Sequence, residues 1–441
     1  MNYQTGIACL FFASALLSTA AAAENVPAAD GAWSVSSNHR YLLDSAGKPF
    51  FVQGEAAWSL IANVSDADVE LYLRNRRAKG FNTLLVNLLE HKFSKNPPCN
   101  LNGDAPFEDM NDWSKPNEKY FAHADWVIRK AGEYGMTVLL APVYLGYIGT
   151  DEGFIDEVLK TGASRSLKYG QFLGKRYAGY NNIIWVMGGD RNPGAALEEL
   201  DMIAFGIKQF DHRHLFTAHC HPDAIPAEQY PNGWLDFGNT YDYQIVHQRL
   251  IDDYNRKPTR PNFLIETTYE GEHNASQVQI RRQAYWAILC GGFGHVFGNL
   301  PIWAFKEGWQ NAMDLPGSID MMYWGKLFRS RAWFDLIPDQ DHTIVTSGLG
   351  EFNGLDYLAA ARTSDRNTVI AYIPDSRKMT VDLTKLNGDR MQGWWFNPRN
   401  GKAVSIGSFP TSASKQFTPP SEGDWVLVLD NVSKHLAAPG Q

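Results

Sequence analysis

The sequence predicts an α/β protein, a (β/α)8 TIM barrel followed by a small all-β sandwich domain. Three observations carry that expectation. Short apolar runs alternate with helical patterns through the first three quarters of the 441 residues, as parallel strands joined by crossover helices do. Beyond residue 338 the texture changes to alternating stretches parted by turn signals such as Asn387-Gly388 and Asn400-Gly401, with no helix-length pattern between them. The composition, 44% hydrophobic and 20% charged, is that of a chain able to bury a large core.

In chain order the expected strands are 50–54, 82–89, 136–145, 182–187, 215–219, 237–241, 261–265 and 294–297. Helices are expected over 66–79, 118–134, 164–178, 195–210 and 276–289, with Ser65 and Ser276 placed to cap first turns. Residues 24–40 read as a polar lead-in, which gives a barrel domain over 24–338 and a sandwich over 339–441. At the start, the short apolar stretch 7–20 precedes Ala21-Ala22-Ala23, so residues 1–23 read as a signal peptide and the mature chain is expected in the periplasm or secreted. No later segment reaches the roughly 18 apolar residues of a membrane span. A net charge of −8 without a Lys/Arg run excludes nucleic acid as a partner. Cys99, Cys220 and Cys290 are scattered, forming neither a disulfide framework nor a metal motif, and are expected as buried thiols.

Two strands stop on a charge. The run NIIWVMGGD closes at Asp190, and PNFLIETTYEG is apolar through Ile265 before presenting Glu266, with Glu270 one step further out. In a parallel barrel the C-terminal strand ends form the mouth, where polar residues are candidates for chemistry. A pair of carboxyl groups facing one mouth is what glycoside hydrolysis needs, one protonating the leaving oxygen while the other attacks the anomeric carbon or activates water. A separation of about 5–5.5 Å retains configuration and one of roughly 6.5–9.5 Å inverts it. The bland alternative is that each acid caps a helix or pairs locally, as Asp190 could with Arg191. The chemistry calls for no cofactor, and the expected partner is an oligo- or polysaccharide.

These acids sit within longer stretches that resemble one family. Trp185-Val-Met-Gly-Gly-Asp190, His221-Pro222, Trp234-Leu-Asp-Phe237, Gln244-Ile-Val-His247, Glu266-Thr-Thr-Tyr-Glu-Gly271, Arg281-Arg-Gln-Ala-Tyr-Trp286, Gly294-His-Val-Phe-Gly-Asn299 and Trp303 follow one another in this order. From Arg40 to Leu429 the chain resembles the apiosidase-like glycoside hydrolases, barrel enzymes with a C-terminal β-domain named for collagen binding. The resemblance implies Asp190 as general acid/base and Glu266 as nucleophile. It also implies His221, Gln244, His247, Tyr269, His295 and Trp303 around the sugar-binding mouth. At the first strand Gly54-Glu55 stands where the family pattern has Gly-Asp-Thr, so Glu55 is expected to reshape the innermost sugar subsite.

Trp58 follows the first strand end and reads as a stacking platform for a sugar ring, with Trp303 and Trp309 as further candidates that core packing would equally explain. Glu90 and His91 close the second strand and are expected near sugar. Trp113 lies in the stretch 92–116, which is long enough to cover the mouth. Glu270 competes with Glu266 as the acting acid, its bland role being to hold the loop. His219 and His221 in HCHP invite a metal reading, but the expectation is that His221 meets a substrate hydroxyl while His219 is packed. Trp394 and Trp395 are adjacent on a strand, so at least one belongs to the core. The other functional classes are a carbohydrate-binding protein without catalysis and a metal-dependent hydrolase.

Overall fold

The computed structural model describes residues 33–243 and 245–441; the expected signal peptide and Gln244 lie outside the described residues. Eight parallel strands form one sheet: β1 (Val52–Ala56), β2 (Thr83–Asn87), β3 (Thr137–Ala141), β4 (Ile183–Gly188), β5 (Phe216–His219), β6 (Thr240–Tyr241), β7 (Leu264–Glu266) and β8 (Gly294–Phe297). Their spatial order is β5-β4-β3-β2-β1-β8-β7-β6. The helices α1 (Asp66–Ala78), α2 (Glu118–Glu133), α3 (Ile155–Tyr177), α4 (Leu197–Lys208), α5 (Val246–Asn255), α6 (Gln277–Leu289) and α7 (Pro316–Arg329) pack around it. Ser65 and Ser276 do cap α1 and α6, accepting from the amides of Asp68 and Gln279. The expected helix 164–178 is the second of two helical segments that make up α3, which meet at Gly162, where the backbone is not helical (φ 73°, ψ 162°).

One seam differs from the others. β5 and β6 do not pair, and only the four-residue helix Pro226–Gln229 lies between them. Side chains and a backbone bond bridge the gap: Asn239 Nδ2 donates to Thr217 Oγ1 at 2.9 Å and to Ala218 O at 2.7 Å, and Asp236 accepts from the Phe216 amide at 2.8 Å while its own amide donates to Phe216 O at 2.9 Å. These contacts satisfy backbone groups that a missing ladder would leave unpaired.

Which side chains enter the barrel follows from strand periodicity. A Cβ on Gly54 would lie 2.9 Å from Val296 and 3.5 Å from Thr83, so these three share the interior. Val52 and Ala56 have the same parity as Gly54 and also face inward, whereas Gln53 and Glu55 on β1 and His295 on β8 face the helices.

The C-terminal region is two antiparallel sheets. Strands β9 (Leu336–Pro338), β11 (Ala359–Thr363), β12 (Thr368–Ile373), β14 (Arg390–Asn397), β15 (Lys402–Pro410) and β17 (Trp425–Asn431) form the larger, in the order β9-β11-β12-β17-β14-β15. Strands β10 (Val345–Ser347), β13 (Met379–Asp382) and β16 (Ser414–Phe417) form the smaller. One face of the larger sheet, with Ala361, Ile370, Tyr372 and Val428, shares a core with Tyr285 of α6 and Trp324 of α7. Its other face packs on the smaller sheet through Val369, Trp395 and Leu427. Trp394 packs toward the barrel side, so neither tryptophan of that pair is a free platform. Arg281 of α6 ties the two regions, donating to Asp424 at 2.7 Å and to Asp320 at 2.9 Å. Among the described residues no helix is long and apolar enough to cross a membrane. Cys220 and Cys290 are buried free thiols, and Cys99 is half-buried.

Candidate active site

Two glycines turn the chain at the end of β4. Gly188 has φ +79°, and a Cβ on Gly189 would meet the Tyr144 ring at 2.3 Å, so neither position admits a side chain without strain. Asp190 itself is left-handed, at φ 51°. The turn aims its carboxylate across the mouth toward Glu266, the last residue of β7. The reacting atoms of Asp190, His219 and Glu266 all lie within 4.8 Å of one another.

His219, the last residue of β5, spans the two acids. Its Nδ1 accepts from the Asp190 backbone N–H at 3.1 Å, and its Nε2–H donates to Glu266 Oε2 at 2.6 Å. Burial disfavours a charged ring and the Glu266 carboxylate favours it, for a net upward displacement. Because the Asp190 amide occupies Nδ1, we read the ring as neutral with its proton on Nε2. Tyr269 also donates to Glu266 and accepts from Trp58 Nε1 at 3.2 Å. On the other side Tyr144 donates its hydroxyl to Asp190 Oδ2 at 2.6 Å. Burial, and then the nearby Asp190 charge, push Glu266 up to about 7. Two carboxyl groups this close ionise as a pair, and below that value the pair holds one proton. The donors His219 and Tyr269 stabilise charge on Glu266 and pull against that rise.

A cavity of about 210 Å³ opens over this pair, lined among others by Trp58, Tyr269 and Trp303 as expected from the sequence. Sequence reasoning missed Tyr144, Tyr147, Tyr243 and Phe93 in its wall, and the two further carboxylates Glu152 and Glu272. Glu272 accepts from Trp303 Nε1 at 3.1 Å and is raised by burial. His219 was expected to be packed; it is buried, but it joins both acids. The strand-end position of that histidine was the available signal.

Other expected residues lie elsewhere. Glu55 is fully buried against α1, where it pairs with Arg76 at 2.5 Å and accepts from Tyr72; its outward parity keeps it from the sugar mouth. Glu90 is buried and caps the turn after β2, accepting from the amides of His91 and Phe93. His91 accepts from the Gly153 amide at 3.0 Å and packs on Phe154. His221 turns its Nδ1 to Pro222 O and stacks with Tyr147 at 6.1 Å, at the rim and not in the cavity wall. His247 on α5 is buried between Trp286 and Tyr357, outside the cavity wall, and donates to Phe352 O at 2.6 Å. His295 faces Trp324 of α7, and burial pulls it down to about 3. Glu270 holds its loop, accepting from Gln277 at 2.8 Å, Asn299 at 3.0 Å and the Gly317 amide at 2.8 Å. Trp113 stacks on Phe107 inside the outer core, and Trp309 packs on Phe305; neither covers the cavity.

Asp190, His219 and Glu266 are also spaced as metal ligands would be. Both nitrogens of His219 are already engaged, one by an amide N–H and one by Glu266. A cation on either nitrogen would have to displace the bond already made there, so the donor set fits a hydrogen-bonded acid pair better than a metal.

Residues 36–335 match the family model described as "Apiosidase-like, catalytic domain". The chain belongs to the apiosidase-like family. A second model, provisionally described as a collagen-binding domain of a collagenase, matches residues 337–430 of this apiosidase-like protein. A solved structure named "Glycoside hydrolase" is 26% identical, with a TM-score of 0.82 over 92% of this chain and 98% of its own. A glycoside hydrolase family 5 protein from Bacteroides vulgatus ATCC 8482 is 25% identical, also with a TM-score of 0.82, over 92% of this chain and 95% of its own. No curated protein matches. The apiosidase-like chain is a glycoside hydrolase.

Proposed function

We propose that the protein is an exported, retaining glycoside hydrolase that cleaves apiosyl or related furanosyl linkages in plant or microbial polysaccharide. One observation carries the stereochemistry: the nearest carboxylate oxygens of Asp190 and Glu266 lie within 4.8 Å. That suits the roughly 5–5.5 Å pairing of retaining enzymes better than the roughly 6.5–9.5 Å of inverting ones. Protonated Asp190 donates to the glycosidic oxygen while Glu266, held by His219 and Tyr269, attacks the anomeric carbon. Water then enters, Asp190 takes its proton, and the glycosyl-enzyme ester is hydrolysed. Trp58 and Trp303 offer flat faces to the ring. Export is supported by the apolar stretch 7–20 and its alanine cleavage site.

The test is a screen of purified protein against pectic and other plant-wall fractions, with product configuration followed by proton NMR. First release of the substrate's own anomer supports the proposal, and first release of the opposite anomer overturns it. Turnover is expected to persist in EDTA; its loss, with recovery on adding zinc, would favour metal-dependent hydrolysis.

A further inference from the structure

Beside the catalytic cavity runs a second groove of about 690 Å³, lined by Tyr147, Tyr243, Thr268, His273, Gln279, Arg282 and Leu355. Tyr147 and Tyr243 line both spaces, so the two are continuous. Their chemistry differs. Asp190, Glu266, Glu152 and Glu272 line the inner cavity, whereas among the described residues no carboxylate lines the outer groove. The outer space, within the roughly 300–1,000 Å³ of ligand clefts, is more than three times the inner one of about 210 Å³.

Leu355 comes from the C-terminal region, on the segment between β10 and β11, and it is 48% exposed. That segment is fastened to the barrel through its backbone. Arg282 of α6 donates to Leu355 O at 2.8 Å, His247 of α5 to Phe352 O at 2.6 Å and Gln248 to the same oxygen at 3.2 Å. Three bonds from two barrel helices hold an apolar side chain against a groove floored by Thr268, Gln279 and tyrosines.

From this we infer that the outer groove is the leaving-group side of the substrate site, that it holds a chain of sugars, and that the C-terminal domain supplies one of its walls through Leu355. The inference rests on the proposed reaction for its orientation: with the cleaved residue in the inner cavity, the rest of the polymer leaves over Tyr147 and Tyr243. Hydroxyl and amide groups beside tyrosine rings and a leucine suit saccharide, which presents polar edges and apolar faces.

The test compares wild type with Leu355→Trp, which crowds the groove from an exposed position, and with Gln279→Ala. Substrates are 4-nitrophenyl apiofuranoside, which fills only the inner cavity and its doorway, and an apiose-bearing pectic polysaccharide. Both variants are expected to lose about tenfold in kcat/KM on the polymer, largely through KM, and to keep the aryl glycoside rate within about twofold. An equal loss on both substrates, or none on the polymer, overturns the inference. Binding to immobilised neutral and acidic plant-wall oligosaccharides is measured in parallel. Oligosaccharide binding that Leu355→Trp abolishes supports the groove even where wild type turns over neither substrate, a result that would count against the reaction alone. Binding that the variant retains, or no binding by wild type, overturns the groove.

Discussion

At the level of single residues the acid pair sets the strongest expectations. Glu266 is raised from 4.5 to about 7 by burial and by Asp190. Between those values an unfolded chain has released this proton while the folded chain keeps it. Stability therefore falls as pH rises through that window, by up to about 3 kcal/mol from this group. Glu266→Gln removes the charge and still accepts from His219, so it is expected to melt several degrees higher than wild type above pH 7 while turnover drops on the order of 10⁴-fold. A lower melting temperature at pH 8 would contradict the burial argument. In the proposed reaction the same pair sets the pH dependence of activity, because its shared proton is lost above about 7. kcat/KM is expected to decline on the alkaline side of that value, and a profile level from pH 6 to 9 would show that the acid is another group. Asp190 and Glu266 were legible in the sequence because each interrupts an apolar run at a strand's C-terminal end. His219 was not, since a histidine ending a buried strand has the same pattern whether it packs or bridges two acids, and only its partners from β4 and β7 decide.

At the level of elements, all eight barrel strands stand where the apolar runs place them, with ends shifted by a few residues. Two of the misplaced site residues, Glu55 and His295, share one cause. Strands of a parallel barrel are apolar on both faces, so sequence alternation does not tell the inward face from the outward one. Glu55 and His295 fell on the outward side, and His247 lies on α5 itself. Aromatics such as Tyr144 and Phe93 escaped notice because they come from segments following strands, whose paths depend on tertiary packing. The Glu55–Arg76 pair gives this reading a direct test, since both side chains are fully buried. Arg76→Met leaves a carboxylate without its counter-charge and is expected to lower stability on the order of 3–5 kcal/mol, most of it recovered by adding Glu55→Gln. Because Glu55 lies outside the cavity wall, kcat of the double variant should match wild type. A kcat lowered tenfold with stability restored would return Glu55 to the sugar site.

For the whole molecule, the larger C-terminal sheet covers α6 and α7 with an apolar face and adds the Arg281–Asp424 pair at its edge. Barrel and sandwich are thus expected to unfold in one calorimetric transition, and two well-separated peaks would show independent units. The unpaired junction between β5 and β6 points to where that cooperative body gives first. A cask with seven glued seams and one pegged seam leaks at the pegs, and here Asn239 is one of the pegs. Since β5 ends on the imidazole that joins both acids, loosening there is expected to silence the enzyme while the remaining staves stand. Heat inactivation of Asn239→Leu should accordingly run several degrees ahead of its loss of ellipticity, a gap that coincident curves would deny.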